Sequence, residues 1–318
     1  LDEAARHGIV SVHEMAGPVI SSARDCLSLM SKATERGGTQ AIAYWGELAQ
    51  HGGIDAAREI GATGTGGDLF VDGSLGSHTA CLHAAYLDAP ETTGREFIDR
   101  DELIAHVDMC VRAGQQTGFH AIGDAATDAV IAAFTTAAET HGSALVSRQR
   151  HRIEHAESMS NRGIAECARL GLIASMQPVF DERWGGADGM YARRLGRERA
   201  ALLNPIGDLR RHGVQVAFGS DSPVTPLDPW GAIHAAMNHR TVAQRIDLDS
   251  ALEAHTRAGW QAAGMDHGGR VEVGEAAHLS IWATGESEAL PPAGAQALRT
   301  LRDGVIIHDS GFLQDASC

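Results

Sequence analysis

Residues 118–124 read GFHAIGD, an apolar run that ends in His120 and passes through a Gly-Asp turn into the alanine-rich segment 125–140. A short buried strand followed by a turn and a helix is the repeating unit of parallel α/β folds. The stretch therefore predicts one βα unit with a histidine at the carboxyl end of its strand.

Six further apolar runs resemble this strand, and helical segments separate them. We predict these strands at 8–15, 40–45, 68–73, 152–156, 172–177 and 214–221. The other predicted helices are 100–113, 160–169 and 229–238. Because polar or titratable residues end run after run, the pattern favours an α/β fold of the TIM-type (β/α)8 barrel over an open sheet, since such barrels carry their chemistry at the carboxyl face.

The number of predicted strands is one short of a closed barrel. Seven strands do not close an eight-stranded barrel, so either one strand escapes the pattern or the first strand lies upstream of Leu1. Leu1 also stands inside what looks like the end of a helix, without an initiator Met or an N-cap. We therefore expect a barrel that is incomplete at its N-terminus.

Two connecting segments, 73–95 and 179–202, are longer than ordinary turns. Loops of this length in a compact domain are usually lids or binding loops, with a simple insertion as the alternative. We expect them to contribute to substrate specificity.

The pattern changes after the predicted helical segment 251–264. Two later runs read as strands outside the barrel, because no crossover helix joins them. These runs are 269–282 and 298–309, with a predicted surface loop at 285–294. We predict a barrel domain, incomplete at its N-terminus, at 1–265 and the C-terminal part of a small β-sandwich domain at 266–318.

Composition narrows the class of partner. The 318 residues are 43% hydrophobic, and 26 Lys and Arg against 41 Asp and Glu give a net charge of −15, which disfavours nucleic acid and anionic membrane surfaces. No run approaches about 18 apolar residues, and the first residues are charged where a signal peptide is apolar, so we expect a cytoplasmic protein.

The five cysteines include no CxxC pair, so the sequence indicates neither a disulfide framework nor a thiolate zinc site. Small molecules, basic partners and a second copy of the chain stay open as partners.

Three residues at strand ends are candidates for chemistry. Besides His120, these are His155 in HRIEHAE at 151–157 and Asp221 in FGSDSP at 218–223. Taken singly, each histidine fits a hydrogen-bonded core residue and Asp221 fits an Asx turn. Their order is informative, because two histidines on successive strands and an aspartate on the last strand converge above a barrel.

Such a convergence predicts a metal centre. Imidazole nitrogen and carboxylate oxygen bind Zn²⁺ while leaving a position open for water, whose pKa zinc lowers to about 7. Asp221 would then take the proton from the attacking nucleophile and deliver it to the leaving group. We expect a divalent metal, zinc first, as one or two ions.

An ordered set of motifs carries a resemblance to a known family. The motifs are DGSLGSHTA at 72–80, HAIGD at 120–124, RIEHA at 152–156, SMQP at 175–178, GSDSP at 219–223 and LDPW at 227–230. Together they resemble amidohydrolase family 3, the branch of the amidohydrolase superfamily that includes N-substituted formamide deformylase. The resemblance runs from about Gly8 to Asp309.

The resemblance implies a metal-dependent amidohydrolase barrel. It implies that His120 and His155 are ligands on strands five and six, and that Asp221 is a ligand on strand eight. The implied reaction cleaves a carbon–nitrogen amide-type bond, with N-acyl or N-formyl amines as substrates. His78 and Arg152 are candidates for binding the substrate carbonyl.

Two departures from the family pattern bear on activity. The His-x-His pair of the family's first strand does not occur in this sequence, and would lie upstream of Leu1. Asp68 stands where the family often has a carboxylated lysine, and strand alternation would place Asp68, Phe70 and Asp72 on one face. Asp68 therefore either replaces the bridging ligand or accompanies a single metal.

Two other interpretations stay open at this point. A barrel glycosidase would use two carboxylates such as Glu154 and Asp221 without a metal, and leaves both histidines without a role. A truncated barrel would no longer assemble its metal site. Sensitivity to a chelator distinguishes the hydrolase from the glycosidase. Metal content after purification distinguishes the hydrolase from the truncated barrel.

Overall fold

The structure, a computed structural model, describes residues 1–35, 37–284 and 290–312. Its main element is a seven-stranded parallel sheet whose strands follow the chain order. The strands are β1 Ser11–Ala16, β2 Gln40–Trp45, β3 Gly64–Thr65, β4 Gln116–Ala121, β5 Arg152–His155, β6 Ile173–Met176 and β7 Gln215–Phe218. This order confirms the α/β, TIM-type fold, with seven of its eight strands among the described residues.

The sheet is strongly curled. Arg152 on β5 donates a hydrogen bond from Nη1 to Nδ1 of His13 on β1, at 2.8 Å. Four strand spacings separate β1 from β5, which is roughly 19 Å in a flat sheet and beyond the reach of one side chain. The contact across the sheet therefore requires that it curve back on itself as in a barrel.

Helices lie along the outer face of the sheet and on its two ends. In chain order they are α1 Asp2–Arg6, α2 Ala23–Glu35, α3 Gly53–Ile60, α4 Arg100–Ala113, α5 Asp124–His141, α6 Ser143–Arg148, α7 Asn161–Leu170, α8 Pro178–Trp184, α9 Met190–Leu195, α10 Arg197–Ala200, α11 Ile206–Arg211, α12 Pro229–Met237, α13 Leu248–His255 and α14 Arg257–Ala262. Short 3₁₀ turns lie at Ala49–His51 and Val242–Gln244. The predicted helix at 100–113 matches α4, which an Asp99 capping box starts and Gly114 ends.

The largest core lies between the outer face of the sheet and these helices. Phe119 and Ile153, on neighbouring strands, pack with Phe134 of α5 and Ile164 of α7, and all four are almost fully buried. Because side chains alternate along a strand, residues next to Phe119 and Ile153 point into the barrel. This alternation gives His120, beside Phe119, its inward direction.

Helix α14 closes the barrel interior at the end opposite the strand carboxyl ends. Its Trp260 and Ala262 pack against Tyr44 of β2 and Ile173 of β6, which lie on different sides of the barrel. The carbonyl of Ala262 accepts hydrogen bonds from the Tyr44 hydroxyl at 3.3 Å and from Nε2 of Gln116 at 2.8 Å. The interior is therefore filled from one end, and the other end is left for a site.

The predicted third strand at 68–73 is wrong. The strand β3 is Gly64–Thr65, and within 68–73 only an isolated bridge joins Phe70 to His120. The cause is the Gly66–Gly67 pair, whose φ values of +152° and +92° interrupt the extended backbone. Asp68 and Asp72 nevertheless both lie beside the His120 ring, with carboxylate oxygens 3.5 and 3.8 Å from its two nitrogens.

The segment at 179–202, predicted as a loop, contains helices α8, α9 and α10. Pro178 occupies the first turn of α8, where a missing N–H costs nothing. The segment at 73–95 has no helix or strand and packs on these helices, with Leu75 and Tyr86 buried against Tyr191. The segment 179–202 follows the carboxyl end of β6 and the segment 73–95 packs on its helices, so together they cover that end of the barrel.

The small sheet is antiparallel, in the order β10-β9-β8, with β8 Leu279–Ile281, β9 Arg299–Arg302 and β10 Val305–Asp309. It is anchored to the start of the chain, because Thr300 and Ser280 donate hydrogen bonds to the carbonyls of Ala5 and Gly8. The domain boundary after residue 265 stays a prediction. Much of the predicted loop at 285–294, and residues 313–318, lie outside the described residues. No helix among the described residues is long and apolar enough to cross a membrane.

Candidate metal centre

Asp68, His120 and His155 form one cluster at the covered end of the barrel. Each offers one ligand atom, and these atoms lie within 4.8 Å of one another. Oδ1 of Asp68 is 3.5 Å from Nδ1 of His120 and 3.8 Å from Nε2 of His155. Both imidazoles are buried, and the two rings meet edge to face with centroids 4.4 Å apart.

Glycine 66 and Gly67 bring Asp68 to this position. The N–H of Gly67 donates to the carbonyl of Gly118 on β4 at 3.2 Å. A Cβ on Gly66 would lie 2.3 Å from the backbone nitrogen of Gly118, so no side chain fits there. The close approach of the two backbones places Asp68 beside His120.

His155 reaches the cluster through an unusual backbone. Strand alternation would point His155 the same way as Ile153, toward the outer helices. His155 and Ala156 instead have φ values of +71° and +49°, a region that residues with a Cβ seldom adopt. The chain turns sharply at the end of β5, and the imidazole lies with His120 at the barrel mouth.

The neighbours of each imidazole fix its tautomer. Nε2–H of His120 donates to the carbonyl of Gly73 at 3.1 Å, and its buried Nδ1 makes no hydrogen bond within the described residues. Nδ1–H of His155 donates to Oε1 of Gln177 at 2.9 Å. The other nitrogen of each ring, Nδ1 of His120 and Nε2 of His155, therefore faces Asp68. Two imidazole lone pairs and a carboxylate are a donor set that fits a divalent metal, and the bare Nδ1 of His120 is the atom that a ligand role would use.

The charges in the cluster are strongly coupled. Burial works to raise the pKa of Asp68, but the nearby imidazoles of His120 and His155 outweigh it and hold that pKa well below its usual range. Burial works to lower the pKa of His155, but Asp68 and the charge of Asp221 raise it to about 9. The carboxylates thus favour positive charge at this point, which a bound cation would supply in place of the proton.

Asp221 lies near the cluster but outside its tight group. It follows β7, has a φ of +53°, and its negative charge raises the pKa of His155. Burial raises the pKa of Asp221 itself, with opposing effects from His155 and His120. Its carboxylate is thus close enough to act electrostatically on the cluster, and its roles as ligand and proton shuttle stay predictions.

Arg152 is buried inside the barrel, with 2% of its surface exposed. Its guanidinium donates to both carboxylate oxygens of Glu154, at 2.7 and 3.1 Å, and to Oγ of Ser175 at 3.1 Å. These contacts favour a role in holding the strands together, and its assignment to substrate binding stays a prediction. They also leave Glu154 paired, which gives no support to a carboxylate-pair glycosidase.

His78 lies in the covering segment 73–95. Its Nε2 contacts Oδ1 of Asp88 at 3.0 Å, and its ring meets the edge of Tyr86 at 4.9 Å. Within the described part of the chain, none of its recorded contacts involves the cluster. Its role in substrate binding also stays a prediction.

Sequence reasoning missed the residues that orient the ligands. Gln177 entered the prediction only within the strand 172–177 and the SMQP motif at 175–178, with no role assigned, and Gly73 acts through its backbone, which no side-chain pattern reveals. Phe180 stacks on the His155 ring with centroids 6.0 Å apart, and Trp184 lies 4.7 Å beyond it. An aromatic wall therefore borders the cluster on the α8 side.

Comparisons with known proteins agree with this arrangement. A family model described as Amidohydrolase family matches residues 1–308. Protein LONG AFTER FAR-RED 3 of Arabidopsis thaliana is 32% identical over 225 residues, which are 68% of this chain and 38% of that protein. N-substituted formamide deformylase of Arthrobacter pascens is 27% identical over 234 residues, which are 68% of this chain and 41% of that protein. The chain thus matches less than half the length of these curated relatives.

A solved structure shares the architecture. The crystal structure of an uncharacterized metal-dependent hydrolase from Pyrococcus furiosus superimposes with a TM-score of 0.68 at 28% sequence identity. The alignment covers 84% of this chain and 55% of that chain.

Proposed function

The chain belongs to the amidohydrolase family, and from that premise we propose that it carries the metal centre of a hydrolase that cleaves carbon–nitrogen bonds of amide type. The observation that supports this most directly is the cluster of Asp68, His120 and His155, in which one nitrogen of each imidazole faces the same carboxylate. The buried Nδ1 of His120 adds support, because it makes no hydrogen bond within the described residues and lies 3.5 Å from Oδ1 of Asp68.

In this proposal His120, His155 and Asp68 hold a divalent metal, with zinc as the ion that best matches the donors. Asp221 is a further ligand candidate from the last strand. When bound, such an ion polarises a carbonyl and lowers the pKa of water. Gln177 and the carbonyl of Gly73 keep the two imidazoles in the orientation that binding needs.

Asp221 is the residue that we assign to proton transfer. Its carboxylate is partly buried and lies beside the cluster, where it can accept a proton from the attacking water and return it to the departing nitrogen. Asp68 is already engaged by both histidines, so it is less free to move a proton. The aromatic wall of Phe180 and Trp184 excludes water from one side of the site.

The proposed substrates are N-acyl or N-formyl amines. A relative named for deformylation of N-substituted formamides matches 68% of this chain, which supports an amide-type bond. The two covering segments, 73–95 and 179–202, differ most from ordinary turns and are where we place recognition of the amine.

The test combines metal content with hydrolysis. The purified chain, loaded with zinc and passed through a desalting column, is expected to retain metal and to release amine from an N-substituted formamide. His120→Ala and His155→Ala should lose metal, whereas His83→Ala, a half-exposed histidine paired with Asp128, should keep it. A chain that binds no zinc would refute the metal centre.

The same assay separates the alternatives. A chain that binds zinc but hydrolyses neither formamides nor acyl amines would refute the substrate assignment and leave the metal centre intact. Hydrolysis that survives a chelator would instead require metal-free chemistry.

A further inference from the structure

Asp72 opens the DGSLGSHTA motif at 72–80, and no metal-binding or chemical step described above uses it. It is fully buried. Oδ2 accepts hydrogen bonds from the N–H groups of Cys81 and Gly123, each at 2.8 Å, and Oδ1 accepts one from the N–H of Ile122 at 3.0 Å. One carboxylate thus joins the end of the 73–81 turn to the backbone that leaves β4.

The two segments that Asp72 joins are those that set the direction of His120. Ile122 and Gly123 follow His120 by two and three residues, and Gly73 presents the carbonyl to which His120 Nε2–H donates. Oδ1 of Asp72 itself lies 3.8 Å from the same Nε2. Two acceptors on one side of the ring favour the proton on that nitrogen.

The position of the Gly73 carbonyl depends on the same turn. Gly73 N–H donates a hydrogen bond to the carbonyl of Thr79 at 3.1 Å, and Thr79 N–H donates one to the carbonyl of Ser74. A Cβ on Gly73 would lie 2.1 Å from Oγ1 of Thr79, so the turn tolerates no side chain there. Asp72 closes this turn by holding Cys81, and the carbonyl has little freedom to move.

We propose that Asp72 is a positioning residue for the metal centre: it holds Gly73 and the end of β4 together so that His120 keeps its proton on Nε2 and turns a bare Nδ1 toward Asp68. The proposal rests on the metal centre proposed above. It predicts that Asp72 acts on zinc affinity and on the His120 tautomer, beyond any effect on stability.

The test uses the whole chain with ¹⁵N-labelled histidine rings. In the metal-free chain at pH 8, long-range ¹H–¹⁵N spectra should show His120 protonated on Nε2, with the signal assigned by its loss in His120→Gln. Asp72→Asn keeps the size but leaves one acceptor oxygen for three N–H donors. It should mix the His120 tautomers and weaken zinc binding about 10–100-fold in competition with a chromophoric chelator.

Asp208→Asn is the matched control, because Asp208 also binds neighbouring side chains, Gln244 and Arg211, but lies on α11 away from the cluster. It should lower the melting temperature without changing zinc affinity or the His120 signal. The proposal would be overturned if Asp72→Asn left both the zinc affinity and the His120 tautomer unchanged. It would also be overturned if the wild-type chain carried the His120 proton on Nδ1.

If Asp72→Asn does not fold, Gly73→Ala provides the test of the proposal. It keeps the carboxylate but forces Thr79 and the Gly73 carbonyl apart, so it should shift the His120 tautomer in the same direction. An unshifted tautomer would count against the proposal. Should the unchanged chain bind no zinc, the proposed function fails, while the tautomer of metal-free His120 still tests Asp72 on its own.

Discussion

The side-chain oxygen of Gln177 accepts a hydrogen bond from Nδ1–H of His155 at 2.9 Å. The Gln177 amide is itself oriented, because its Nε2 donates to the carbonyl of Ser175 at 3.4 Å. Gln177 therefore holds the Nδ1 proton of His155 on the side away from Asp68, so Nε2 is the atom at which a metal can replace a proton. The protein itself thus orients the His155 ring, without a bound metal.

This relationship predicts the effect of Gln177→Leu. The leucine keeps similar volume but offers no acceptor, so the His155 ring loses the partner that fixes its tautomer. We expect zinc affinity to fall about 10–100-fold, measured by chelator competition. Gln50→Leu, in which an exposed glutamine loses only its bond to the Glu102 carbonyl, should have no effect. Equal affinity in both variants would show that the Gln177 contact does not matter.

Asp68→Asn tests the electrostatics of the cluster. The change removes the charge that, with Asp221, raises the pKa of His155 to about 9. We expect the His155 pKa to fall, as followed by NMR titration of the metal-free chain, and zinc retention to drop because a charged ligand is lost. Asp188→Asn, at a fully exposed position, is the control. A His155 pKa that stays near 9 would mean that Asp221 alone sustains it.

Much of the barrel was predictable from the sequence because its strands are buried on both faces and carry continuous apolar runs. The prediction at 40–45 matches β2, and the helix at 100–113 matches α4, whose cap signals are local. The third strand was missed because its apolar residues follow the Gly66–Gly67 break instead of preceding it. A propensity pattern cannot show where positive φ values interrupt a strand.

The cluster was only partly predictable for a related reason. Strand ends identified His120 and His155 as converging, but strict alternation would have turned His155 outward, and the positive φ values that bring it back are set by tertiary packing. Asp68 was proposed from the family pattern on a strand that does not exist, and it joins the cluster through backbone contact at Gly118. Contacts made by carbonyls, such as that of Gly73, leave no signal in side-chain identity.

Buried neutral histidines predict how stability depends on pH. His151 is fully buried, its Nδ1 accepts from the N–H of Thr117 at 3.1 Å, and burial, with the charge of His106 adding to it, lowers its pKa from 6.5 to about 3. The unfolded chain takes up a proton below pH 6.5 that the folded chain refuses until about pH 3. The contribution is therefore fully present above pH 6.5 and declines as the pH falls through that window.

His151→Asn should flatten this dependence. Asparagine keeps an acceptor for Thr117 but does not titrate, so between pH 6 and 4 the slope of unfolding free energy against pH should fall by up to about 1.4 kcal/mol per pH unit, the value for one proton. Urea unfolding at a series of pH values measures it. His267→Asn, at a highly exposed position, should leave the slope unchanged. An unchanged slope in His151→Asn would show that His151 is not held neutral.

Asp221→Asn tests the residue assigned to proton transfer. Asn is one of the few residues that tolerate the positive φ found at this position, so the backbone should survive the change. The amide keeps one oxygen toward the cluster but cannot accept a proton from the attacking water. We expect turnover of an N-formyl or N-acyl amine to fall about 10²–10⁴-fold, the usual cost of removing a positioned acid–base group.

Metal content separates this outcome from the loss of a ligand. If Asp221 acts mainly on the proton, Asp221→Asn should retain most of its zinc while turnover collapses, whereas His155→Ala should lose both together. Asp303→Asn, which also has a positive φ but lies in the small sheet, controls for the backbone and should leave both unchanged. Near-normal turnover of Asp221→Asn with zinc bound would make the assignment wrong. The base would then have to be sought first at Asp68, which already lies between the two imidazoles.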